Sequence, residues 1–97
     1  MNHNYDINVR YDVLCAIKDK LFFIDHGLES SVLEMKNGLI QSEVFLAGNQ
    51  FEKAKKTTNA CIDITNKTRS NISHATEYIE ELKKIIDEYG KCTYSEG

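Results

Sequence analysis

The chain has no proline and no tryptophan, and only five glycines and three cysteines among its 97 residues. Without proline, nothing forces a helix to break. So few glycines leave little of the turn chemistry that a many-stranded sheet requires. Cys15, Cys61 and Cys92 are odd in number and far apart, which argues against a disulfide framework and for reduced thiols made in a cytoplasm. No apolar run approaches the ~20 residues of a membrane span. Lys and Arg are scattered and the net charge is −3, so the basic face that phosphate backbones require is missing and a nucleic-acid partner is not expected. Met1 to Tyr5 are polar, so a cleaved signal peptide with an apolar middle is not expected either.

What the chain does have is helical rhythm. Steps of three and four residues connect Phe51, Ala54, Thr58, Cys61, Thr65, Thr68, Ile72, Ala75, Ile79, Leu82, Ile86 and Tyr89, with mostly charged or amide residues between them. A sustained three-four repeat predicts one long helix with a narrow apolar stripe. Its first half is small and weakly polar and its second half is large and aliphatic. A similar seam, Ile7, Arg10, Leu14, Ile17, Leu21, Ile24, Leu28, Ser31 and Met35, predicts a first helix over 7–36. Gly27 is a soft spot inside it, and Asn37-Gly38 reads as its stop, because glycine readily takes the left-handed conformation that ends helices.

Residues 37–43 are then a turn and 44–89 a second helix. Either Ser42, or Asn49 with Glu52 three residues later, is placed to cap its start. Residues 90–97 read as a helix stop and a tail. Two long helices with a short connection make an all-α, antiparallel hairpin in a single domain over 1–97. Reversal near residue 43 sets Ile7 opposite Ile79, Leu14 opposite Ile72, Leu21 opposite Thr65, Leu28 opposite Thr58 and Met35 opposite Phe51.

A hairpin buries one seam per helix, and apolar residues are left over: Phe22, Phe23, Val32 and Leu33 on the first helix, and Ile62, Ile64, Tyr78 and Ile85 on the second. Contiguous apolar surface on a small protein marks an interface. These residues, with Phe45 in the connection, are the candidate partner surface. The expected partner is a protein, either a second copy or another helical chain, and two hairpins together would form a four-helix bundle. Catalysis has no such support. His3, His26 and His74 stand alone, without a second ligand at metal spacing. No nucleophile has a neighbouring base, and no glycine-rich phosphate loop is present. No enzyme activity, metal or cofactor is expected.

The connection contains Leu46-Ala47-Gly48. Two long helices, about a hundred residues and a small-residue turn with this triplet resemble the Trp-X-Gly (WXG) superfamily of type VII secretion, with leucine in place of tryptophan as in the Leu-X-Gly toxin branch. Phe45 is placed to substitute for the indole. The layout matches over nearly the whole chain; the motif covers these few residues. The resemblance implies a dimer of packed hairpins, and a small helical partner that binds the N-terminal helical region of a Leu-X-Gly toxin and helps target it for export. It also implies a cytoplasmic protein, or one exported without a cleaved signal. The export signal of that family, Tyr-x-x-x-Asp or Glu, is missing: Tyr78 leads to Leu82 and Tyr89 to Thr93. A partner would then supply the signal. The alternative is a coiled-coil interaction subunit unrelated to secretion.

Overall fold

A computed structural model describes the backbone of residues 3–96 and the side chains of residues 8–89. Two helices pack against each other as an all-α hairpin, α1 over His3–Ser42 and α2 over Gly48–Glu96, with no strand among the described residues. The helices divide into two compact units. One unit joins the part of α1 up to Phe23 to the part of α2 from Ser73 on; the other is Ile24–Ile72 and includes the turn.

The helix ends differ from the sequence expectation. Asn37-Gly38 does not stop α1, and no described residue has a positive φ. Glycine in a right-handed helix costs about 1 kcal/mol relative to alanine. Here Leu39, half-buried beyond Gly38, continues the packing stripe, and that contact favours extending the helix. Gly27 lies inside α1 without interrupting it, and the Ser31 hydroxyl donates to its carbonyl at 3.0 Å. Gly90 does not stop α2, whose backbone remains helical to Glu96.

The reversal occupies residues 43–47. The Ser42 carbonyl accepts from the amides of Phe45 and Leu46, each at 3.0 Å, and the Ser42 hydroxyl donates to Leu39 O at 2.8 Å. Ser42 therefore closes α1 instead of capping α2. Ala47 accepts the first bond of α2, from the Phe51 amide at 2.9 Å. That makes Ala47 the N-cap, so Asn49 and Glu52 are not spaced as a capping box around it. Gly48 opens α2 with ordinary φ and open space around its Cα.

The register also shifts. Lys18 pairs with Glu80 in one unit, and Asp25 with Arg69 in the other. The midpoints of these pairs fall at Asn49 and Ala47, where the expected reversal was near residue 43. Leu21 is thus set toward the residues just after Ile72, not toward Thr65. The later end of α1 moves the turn, and the pairing follows it.

Candidate functional site

Heptad notation, with a and d facing the partner helix, shows where the packing stripe lies. On α1 the d positions are Leu14, Leu21, Leu28 and Met35, as the sequence suggested. The a positions are Tyr11, Lys18, Asp25, Val32 and Leu39, and all of these are half-buried or buried. The sequence reading had placed Arg10, Ile17, Ile24 and Ser31, the g positions, in that row. The same one-residue slip occurs on α2. Its d positions Thr58, Thr65, Ile72, Ile79 and Ile86 are in the stripe, but Ile62, Arg69, Thr76 and Lys83 take the places expected for Cys61, Thr68, Ala75 and Leu82. Cys61, Thr68 and Tyr89 are exposed. Ala75 and Leu82 are half-buried at the edge of the stripe.

The a row was passed over because it carries charge. In the structure each of these charges has a counter-charge. Arg69 Nε donates to Asp25 Oδ1 at 2.9 Å and its Nη2 to Glu29 Oε2 at 2.9 Å. Lys18 and Lys83 both reach Glu80, and the Lys83 ammonium stands 5.3 Å from the Tyr11 ring centre. The Arg69 hydrogen bond holds the Asp25 carboxyl below its ordinary value of 3.8. The Lys18 hydrogen bond does the same for Glu80, ordinarily 4.5. Asp25 in turn raises Arg69. Long cationic stems also cover apolar surface while their heads remain wet, so a charged a row is compatible with packing.

The buried apolar side chains among the described residues are Val32 at 6% exposure, Ile62 at 7% and Ile79 at 7%. Val32 and Ile62 were candidates for the partner surface. They are core of the hairpin and are closed to a partner while it is formed. Phe45, counted with the candidate partner surface, is 85% exposed in the turn. Leu46 beside it is half-buried.

The remaining candidates are exposed but do not share one face. Phe22 and Leu33 lie at e and b of α1, on the side of the a row. Phe23 lies on the back of α1 at f. Ile64, Tyr78 and Ile85 lie at c of α2, on the side of the d row. On that same flank α1 presents Val13, Ile17 and Ile24, all exposed. In an antiparallel pair the g flanks of the two helices adjoin. Within the unit that ends at Phe23 and resumes at Ser73, Val13 and Ile17 therefore adjoin Tyr78, Leu82 and Ile85. Within the other unit, Ile24 and Ile64 lie on the same flank. The sequence reading missed this grouping because it spent Ile17 and Ile24 on the core.

Among the described residues no three His, Cys, Asp or Glu side chains gather around a point that could hold a metal ion. His26 and His74 are exposed, with Glu77 4.0 Å from His74. Cys15 is half-buried and Cys61 exposed, both as free thiols. His3 and Cys92 lie outside the described side chains. An open depression along the start of α2, at Asn49, Glu52, Lys53, Lys56 and Asn59, involves one helix alone. No described helix is long and apolar enough to cross a membrane. Comparison with known proteins gives no match to a family model, a curated protein or a solved structure.

Proposed function

We propose that this chain is a binding subunit without catalysis of its own, and that it works by packing exposed apolar helix surface against another helical protein. The observation that carries this reading is the surface left open when the hairpin closes. The exposed part includes Val13, Ile17, Ile64, Tyr78 and Ile85. Exposed large apolar side chains grouped on one flank mark an interface.

The finer reading rests on the resemblance in layout and on Leu46-Ala47-Gly48 at the reversal. The partner is the N-terminal helical region of a Leu-X-Gly toxin. The subunit is made in the cytoplasm and the complex is handed to a type VII secretion system. In this reading the toxin carries the export signal, since Tyr78 leads to Leu82 and Tyr89 to Thr93. Co-expression with the helical region of a toxin encoded beside this chain, followed by affinity capture, tests it. Wild type is expected to co-purify, and Ile17→Glu with Ile85→Glu is expected to lose the complex while circular dichroism stays helical. Capture that survives this double change rules out the d-side flank as the interface. Failure of wild type to co-purify removes the toxin reading.

A further inference from the structure

The turn presents apolar side chains to solvent at the closed end of the unit Ile24–Ile72. Val44 is 81% exposed, Phe45 85%, and Ile40, one turn back on α1, 66%. None of the three belongs to the packing stripe or to the d-side flank. Behind them the charge is basic. Residues 36–56 hold four lysines, Lys36, Lys53, Lys55 and Lys56, against two acids, Glu43 and Glu52, in a chain whose net charge is −3. All four lysines are exposed. No ion pair among the described residues takes any of them, whereas Lys18, Arg69 and Lys83 in the stripe are all paired. The Asp25 to Arg69 register sets Lys36 level with Thr58, two residues or about 3 Å from Lys56. Counted along the helices from Ser42 and Gly48, the lysines stand about 7–12 Å behind the turn.

We infer that this end is a contact site for an anionic lipid surface. An apolar apex with a basic collar about two turns behind it has the profile of a segment that enters the boundary between headgroups and acyl chains, about 5–10 Å deep. At that depth Val44, Phe45 and Ile40 leave water. The lysine ammonium groups, on flexible stems, reach the layer of lipid phosphates. The apolar residues sit at the end of two helices and not in a groove, which suits a surface that deforms around them. Glu43, beside Val44, is the charge within the turn that opposes such contact. No described helix is long and apolar enough to cross a membrane, so the contact is peripheral. The inference goes beyond the toxin reading and uses different residues, so either can fail without the other.

Flotation of the full chain with vesicles tests it. Wild type is expected to float with vesicles of equimolar phosphatidylcholine and phosphatidylglycerol, to be released by high salt, and not to float with phosphatidylcholine alone. Val44→Ser with Phe45→Ser is expected to weaken binding by at least about tenfold. Lys53→Gln, Lys55→Gln and Lys56→Gln together are expected to weaken it as much, whereas Glu43→Gln strengthens it by about fivefold. Circular dichroism should stay helical throughout, since all these side chains are exposed. The chain has no tryptophan, so Phe45→Trp reports on the turn alone. Its emission is expected to shift to the blue on the anionic vesicles, and that of Phe23→Trp, in the other unit, is not. A wild type that ignores anionic vesicles overturns the inference and leaves this end to a protein partner. Binding that needs the lysines but survives loss of Val44 and Phe45 is adsorption of charge alone, and overturns insertion. A shift at residue 23 without one at residue 45 overturns the assignment to the turn.

Discussion

At the scale of single residues, the structure identifies positions whose chemistry is poorer than the backbone would accept. Gly27 and Gly38 sit in α1 with helical φ and no atom within 4 Å of an added Cβ. Gly27→Ala and Gly38→Ala are each expected to stabilise the chain by up to about 1 kcal/mol, read as a higher urea midpoint. Ala47 is the N-cap of α2 and offers no side-chain acceptor, and the first turn of α2 holds no acidic residue. Ala47→Asp should add about 1 kcal/mol through a capping bond and the helix dipole. Titration has a definite sign. Asp25 and Glu80 are held below their ordinary values of 3.8 and 4.5, so what their pairs contribute is complete above those values. It is lost as pH falls from about 5 through the depressed values. Asp25→Asn with Glu80→Gln should lower stability at pH 7 and flatten this acid-side decline, as urea midpoints across that range would record.

At the scale of the helix, the question is which rows pack. A stripe of a and d rows makes Ile62 core and Ile64, two residues on, surface. Ile62→Ala should cost about 2–4 kcal/mol, whereas Ile64→Ala should cost under about 0.5 kcal/mol in the isolated hairpin. The d and g stripe read from the sequence gives neither residue a core role, so equal small losses would favour it. The d rows were legible because Leu14, Leu21, Leu28, Ile72, Ile79 and Ile86 are apolar at heptad spacing. The a rows were not, because Lys18, Asp25, Arg69 and Lys83 are polar until their cross-helix partners are known. Opposite charges at matching heights were the signal that was available, and they become readable only with the correct reversal point. That point was missed at Asn37-Gly38, where a local stop signal lost to continued packing at Leu39.

At the scale of the whole molecule, the two-helix architecture was legible from two long proline-free periodic stretches. The occupant of the leftover surface was not, because an exposed flank records that something is missing and not what it is. The core of the hairpin is thin: Val32, Ile62 and Ile79 are its buried apolar side chains among the described residues, and none of them is fully buried. With so thin an interior, the proposed association is expected to add to the stability of the chain. On the proposed function, the hairpin completes its packing with another helical surface, a second copy when no other is present. The most direct measurement is the thermal midpoint of the isolated chain, followed by circular dichroism over a hundredfold range of concentration. Association of this kind predicts a midpoint that rises with concentration. A midpoint that stays constant over that range would contradict it.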